Sequence, residues 1–488
     1  MLKVLEQAAF AAEQKNWSLL SECLQKLPVK KNSASEYSAT PEIEQLLSLA
    51  IEILETGDFY QRWEAAKIFP RLGSVAIAPL VKILADEDEE DRELRWFAAR
   101  ILGDFHHSAA ISALVDVLKT SNNEDLTAMA AAALASLGAG AKNATAFKAA
   151  IAALTDLLAR DDTRALAVKA LAHIRHSETI APLLSVVRDR EVAVRTTAIE
   201  ALSSFHDDRI APVLVDALKD TAASVRRQAT IGLGLRAELQ EQLELVEQLK
   251  LQLVDFNQEV CSAAAIALGR MKNDSAADVL FEALLSTYTP VALKVQIVRS
   301  LSWIETPKAL SYLQQAIAAR NVAILSRGDL EQGSRGDLEQ GSRGDLEIKS
   351  RGELPMPNTP TEIDIVCLEI IAVLGRVEQR DLVPMAVEIL LDALNSNYPA
   401  MQHARLKQAL TTSLGQLKDP VAVEALIQML ADPDEGVKWH AIAALKKFKG
   451  VAAKLEALAA SENLTPALLQ GIAIALENFR LKNCAKID

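Results

Sequence analysis

VRTTAIEALSSF at Val194–Phe205, VRRQATIGLGL at Val225–Leu235 and VCSAAAIALGRM at Val260–Met271 are three versions of one phrase. The second residue of each (Arg195, Arg226, Cys261) serves as an anchor for counting. A small residue follows three positions later (Ala198, Ala229, Ala264) and a leucine seven positions later (Leu202, Leu233, Leu268). Steps of three and seven return to one face of an α-helix, so these side chains form a single apolar stripe. The same register extends to Arg62, Arg95, Ala130, Arg164, Lys294, Cys367, Lys407 and Lys438. Most anchors are 31 to 35 residues apart, and the longer steps before Cys367 and Lys407 mark insertions.

A second apolar segment lies between anchors: IAPLVKILAD from Ile77, IAPLLSVVRD from Ile180 and IAPVLVDALKD from Ile210. Pro79, Pro182 and Pro212 fall in its first turn, where a helix has no use for the missing N–H. Each unit is thus a pair of helices. One pair cannot bury its own stripe, so the units must stack. The expected fold is an all-α solenoid of about eleven helix pairs.

Composition agrees. Of 488 residues, 4% are aromatic, with 19 Gly and 16 Pro, too few turn and β-forming residues for a β-sandwich of this size. The balance of 52 basic and 65 acidic residues gives −13, which disfavours broad binding to nucleic acid. Cys23, Cys261, Cys367 and Cys484 are scattered without a CxxC pair, as expected of a reducing compartment with neither a disulfide framework nor a thiolate zinc site. The opening MLKVLEQAAFAAEQ carries Glu6 and Glu13 and reads as an amphipathic helix rather than a secretory signal. The uncharged run Leu126 to Ala141 is short and mostly alanine, so no membrane span and a cytoplasmic location are expected.

An acid stands six residues before several anchors: Glu89 before Arg95, Asp189 before Arg195, Asp220 before Arg226, Asp255 before Cys261 and Asp432 before Lys438. In the turn between helices such a carboxylate can accept from the first N–H groups of the second helix and meet a base on a neighbouring unit. A ladder of these pairs would fix the rotation from unit to unit. This acid and the VR..A..AL core resemble HEAT repeats, and more narrowly the short HEAT-like units of the bilin lyases of cyanobacterial phycobilisomes. The resemblance covers roughly Phe59 to the C-terminus. It implies a scaffold that binds another protein in its concave groove, a phycobiliprotein or another photosynthetic component. The family also contains phycobilisome-degradation adaptors and the lyases themselves, which attach a linear tetrapyrrole to a phycobiliprotein cysteine.

Four regions follow. Residues 1–57 read as a helical cap and linker, 58–325 as the first repeat array, and 361–488 as further repeats with a C-terminal cap. Between the arrays, 326–360 carries tandem octapeptides (SRGDLEQG, SRGDLEQG, SRGDLEIK, SRGELPMP), whose charge and glycine content suit a mobile spacer. Without a signal segment, the RGD triplets beginning at Arg327, Arg335 and Arg343 are not read as integrin ligands.

Trp63, Trp96 and Trp439 each follow an anchor (Arg62, Arg95, Lys438), a position expected to face the groove. Tryptophan is a frequent hot-spot residue at interfaces. Together with Arg100 these residues form the candidate partner-binding set, set against a reading as packing over the end repeats. If the chain were a lyase, Arg62, Arg95, Trp63 and Trp96 would hold the tetrapyrrole, with Glu64 as the acid. A basic stripe at Arg188, Arg190, Arg195, Arg226 and Arg227 is the best nucleic-acid candidate. The His173/His176 pair has no evident third ligand, and His106, His176 and His206 fall in loops. No His-Glu pair of the di-iron deoxyhypusine hydroxylase type occurs. The acidic runs Asp86–Asp91 and Asp432–Glu435 read as caps at helix N-termini. Cys261 and Cys367 read as buried thiols. No catalytic residue, metal site or cofactor is assigned.

Overall fold

The computed structural model describes residues 41–86, 92–105, 107–139, 144–318, 362–396, 403–461 and 464–484, with a few isolated positions before 41. The N-terminal cap, the octapeptide array, Glu89 and most of the Asp86–Asp91 run lie outside the described residues. Contacts divide the chain into two compact units, 1–232 and 233–488, a boundary the repeat pattern does not mark.

The first unit is a run of helix pairs. In order these are α1 (Pro41–Thr56) with α2 (Phe59–Ala66), α3 (Ile77–Ala85) with α4 (Arg92–Leu102), and α5 (Ser108–Thr120) with α6 (Glu124–Ala139). Then come α7 (Ala144–Leu157) with α8 (Asp161–Ile174), α9 (Ile180–Ser185) with α10 (Val192–Ser203), and α11 (Ile210–Ala217) with α12 (Ala223–Gly234), whose last residues cross the boundary. Among the described residues there is no strand. The run Phe59–Ala85 is long and apolar enough to cross a membrane by length and composition. It is nevertheless broken into short helices at Lys67–Ile68, just ahead of Pro70, and at Gly73, whose φ is 78°.

The second unit continues the pattern. It pairs α13 (Leu245–Gln252) with α14 (Gln258–Arg270), α15 (Asp274–Leu285) with α16 (Val291–Ile304), and α17 (307–318) with α18 (Glu362–Leu374). It ends with α19 (Val383–Asn395) and α20 (Ala404–Leu417), α21 (Ala422–Gln428) and α22 (Glu435–Leu445), and α23 (Val451–Ala459) and α24 (Pro466–Cys484).

The anchor-bearing second helices pack on one another in sequence, α4 on α6 on α8 on α10 and α14 on α16 on α18 on α20 on α22. The stripe read from the sequence is the buried face: Ala198, Leu202, Ala229, Leu233, Ala264 and Leu268 are all fully buried. Burying each of these leucines is worth about 2 kcal/mol relative to exposure. A second seam lets the helices approach closely. A Cβ added to Gly269 would sit 2.9 Å from the Ser300 carbonyl oxygen, and one added to Gly415 would sit 2.5 Å from the Ala444 Cβ. Eight residues after one anchor therefore meets six residues after the next.

That seam corrects one anchor. Gly103, eight after Arg95, faces Ala133, which makes Thr127 rather than Ala130 the anchor of α6. Leu126, Ala130 and Leu134 are then the buried positions, as Val194, Ala198 and Leu202 are in α10. A helix with alanine at Ala130–Ala133 and Ala135 offers a small residue in almost any register, which is why periodicity alone slips by a turn.

Candidate functional site

In the turns, the acids six before the anchors do two things at once. The Asp220 carboxylate accepts from the Ala222 N–H at 2.8 Å and takes both Arg195 Nε and one Arg195 terminal nitrogen at 2.8 Å. The other Arg195 terminal nitrogen donates to the Asp189 carbonyl at 2.8 Å, six residues back in its own unit. Asp189 accepts from the Glu191 N–H and pairs with Arg164 at 3.1 Å. In the second unit Asp432 accepts from the Asp434 N–H and pairs with Lys407 at 2.9 Å. In each rung the cation is 25 residues before the carboxylate, one unit back. Burial pushes the Asp220 carboxyl up, but the Arg195 bond and the Ala222 amide outweigh it and hold it below the usual carboxylate range.

The rungs are uneven. Arg226 repeats the internal half, donating to the Asp220 carbonyl at 2.8 Å. Lys438 has no ion pair among the described residues, and the position 25 residues after it, 463, lies outside them. Cys261 donates its thiol to the Asp255 carbonyl at 3.1 Å. Burial is the main cause raising the Cys261 thiol, so it stays protonated. Cys23, Cys261 and Cys367 are buried and form no disulfide among the described residues.

At the start of the first unit, α2 and α4 build an aromatic cluster. Trp63 stacks on Phe59 at 6.1 Å between centroids, and Phe97 receives Phe59, Trp63 and Trp96 at 5.3, 6.5 and 5.1 Å. The Arg100 guanidinium lies 4.0 Å above the Trp63 ring, a cation–π contact. Phe59 and Tyr60, which sequence reading passed over, are 52% and 68% exposed. An open cleft of about 700 Å³ beside them is lined by Phe59, Trp96, Arg92 and Glu93. Asp58 makes the chain turn here, capping α2 through the Gln61 N–H while the Gln61 side chain returns to the Asp58 N–H.

Two members of the expected docking set belong elsewhere. Arg62 is buried; it donates to the Glu55 carbonyl at the end of α1 and to Glu93 at 3.1 Å. Arg95 donates to the Leu84 carbonyl at the end of α3. Both guanidiniums tie helix ends together rather than face a partner. Arg100, further along α4, is half-buried with its guanidinium on the Trp63 ring.

In the second unit Trp439 is half exposed on α22, and Trp303, unmarked by sequence reading, is 44% exposed on α16. Trp303 stands nine after Lys294, the position Arg376 holds after Cys367. Loop tips between paired helices expose Phe256 and Tyr288 almost completely. The basic stripe of the first unit is not free for phosphates: Arg188 pairs with Asp216, Arg190 with Asp161, and Arg195 with Asp220. His176 accepts from the Glu178 N–H and packs edge-on against Phe147. No cluster of metal-ligating side chains occurs among the described residues.

Comparison with known proteins fits this geometry. HEAT repeats match over 47–135, 77–163, 151–234, 246–327 and 398–477. Importin beta in a polyethylene glycol condition is similar over 97% of this chain and 70% of its own, at 12% identity and a TM-score of 0.51. Importin beta in an ammonium sulfate condition gives 96% and 63%, at 15% identity and a TM-score of 0.48. An engineered protein is 21% identical over 83% of this chain and 98% of its own, with a TM-score of 0.32. These likenesses concern the fold alone, and no curated protein matches. Repeats matched along most of the chain, paired helices and stacked second helices together place it: the chain belongs to the HEAT-repeat family.

Proposed function

We propose that this protein is a non-catalytic scaffold that docks a protein partner on the aromatic cluster of its first unit. The observation that carries the reading is the Arg100–Trp63 stack flanked by solvent-exposed Phe59 and Tyr60. In a chain with 4% aromatics, such a concentration beside an open cleft is the composition of an interface core. The partner proposed from the resemblance to the bilin-lyase HEAT group is a phycobiliprotein or another photosynthetic component, met in the cytoplasm. A phycobilisome-degradation adaptor would use the same surface.

Recovery of a phycobiliprotein from a cyanobacterial lysate is expected to fall at least about tenfold when Trp63 and Trp96 are changed to alanine, a loss of about 1.4 kcal/mol or more. Unchanged recovery would sink the docking cluster. The lyase alternative relies on Glu64 as the acid, and that carboxylate is already held by Lys67. Mixing the protein with phycocyanobilin and apo-phycobiliprotein decides this point. A scaffold yields no covalent red-absorbing adduct, and a lyase does.

A further inference from the structure

The exposed face of α18, α20 and α22 carries a second feature, independent of the aromatic cluster. A cleft of about 450 Å³ there is lined by Arg376, Arg405, His440, Gln408, Thr412 and Gln416 among others, and by no carboxylate. In a chain of net charge −13 this is an unusual wall. Two acids beside it, Glu369 and Asp434, are already engaged. Glu369 is gripped by Arg299 through two bonds of 2.8 and 3.2 Å, leaving Arg376 at 3.7 Å and largely exposed. Asp434 caps α22 at the Val437 N–H and accepts from Gln408 at 3.1 Å. Arg405 is exposed and makes no ion pair among the described residues. An adjoining hollow is lined by Arg299, Trp303 and Arg376 together with Glu378 and with Glu305, which Lys272 and Gln379 hold, so Arg376 stands between an exposed indole and the cationic cleft.

We propose that this face of the second unit is a trough for an acidic peptide segment, held extended across α18, α20 and α22. The inference rests on the scaffold reading and adds a partner chemistry to it. Packed helices lie about 10 Å apart, a distance close to the roughly 9 Å that one three-residue turn of an extended polyproline II segment covers while returning to the same face. Neighbouring carboxylates of such a segment would then meet Arg376 and Arg405, each able to offer paired N–H donors to one carboxylate. Gln408 and Gln416 bring both a donor and an acceptor, which suits the backbone amides of an extended chain. Trp303 gives an apolar side chain of the segment a surface to cover. A nucleic acid carries continuous charge and would meet the protein's overall negative field, which disfavours it.

The test is fluorescence anisotropy on the full-length protein with a labelled peptide repeating Glu-Ser-Leu. The same peptide with Gln for Glu and a single-stranded oligothymidylate serve as the other probes. The Glu peptide is expected to bind at least about tenfold more tightly than the Gln peptide. Combining Arg376→Glu with Arg405→Glu should remove that preference, and added salt should weaken binding. Trp63→Ala should leave it intact. Equal binding of the Glu and Gln peptides, no effect of the double reversal, or tighter binding of the oligonucleotide would each overturn the trough. Loss of the partner in the Trp63/Trp96 variant is read separately, so either proposal can fail while the other stands.

Discussion

Two stretches of the same repeat are held by different chemistry. Around α8 and α10, a guanidinium on each anchor reaches a carboxylate in the next turn, as Arg164 reaches Asp189 and Arg195 reaches Asp220. At α14 the anchor is Cys261, and the position 25 residues on is Ser286. Ser286 makes the same kind of turn as the ladder acids, accepting from the Tyr288 N–H two residues later. Thiol and hydroxyl thus occupy the places of cation and anion, and the fold is unchanged. The apolar stripe and the small-residue seam build the solenoid in both stretches. The ladder adds a polar lock to one of them.

The sharpest way to break the comparison is to cut a rung. Asp220→Ala leaves Arg195 with only backbone partners and removes the acceptor of the Ala222 N–H. The expected cost is about 3 kcal/mol, as for other largely buried pairs that lose one member. Urea unfolding with helicity as the signal checks this. Replacing both partners, Arg195→Met with Asp220→Leu, should return to within about 1 kcal/mol of the parent, because no charge is then stranded. If the double variant is as weak as the single one, the ladder is a source of stability in its own right.

Next in size is an attempt to build a rung where none exists. Cys261→Arg places a cation where the facing turn offers only Ser286, and should destabilise the second unit by about 2 kcal/mol through overpacking and unmatched charge. Adding Ser286→Asp should recover about 1 kcal/mol or more by supplying the charged acceptor. Failure of the second change to help would show that turn geometry, and not residue identity alone, separates the two stretches.

The pairing was partly legible. Counting back six from each anchor located Asp189, Asp220 and Asp432 because turn length is regular. Counting could not say that the cation serving each acid belongs to the previous unit, since that depends on helix stacking. Nor could it show that Arg62 and Arg95 spend their charge on the carbonyls of Glu55 and Leu84, because those acceptors are backbone and leave no trace in side-chain identity. The helix pairs themselves were readable throughout, apart from the alanine-rich α6. The aromatic cluster was half readable: Trp63 and Trp96 lie at a repeat position, whereas Phe59 and Tyr60 sit in the first turn of α2, ahead of the anchor, where the repeat phrase prescribes no residue.

Acid offers a smaller effect. The Asp220 carboxyl titrates below its unfolded value of about 3.9, so its contribution is fully present above that pH and fades as pH falls through the native value. Urea midpoints measured from neutral pH down through about pH 3 should therefore drop more steeply for the parent than for Asp220→Asn. Parallel curves would mean that Asp220 is not held by Arg195 in solution.

The smallest expected change is at the thiol. Cys261→Ser keeps a donor for the Asp255 carbonyl and nearly the same volume, so the cost should stay near about 1 kcal/mol. Its reactivity is the better readout. The side chain is 5% exposed and its thiol is raised by burial, so the nucleophilic thiolate is both scarce and covered. Iodoacetamide should label Cys261 at least about tenfold more slowly in the native protein than in urea, mapped by peptide mass. Asp220→Ala should leave that protection unchanged, because the rung it breaks belongs to the first unit and the thiol to the second. If cutting the rung exposes Cys261, the polar lock of one stretch also holds the packing of the other.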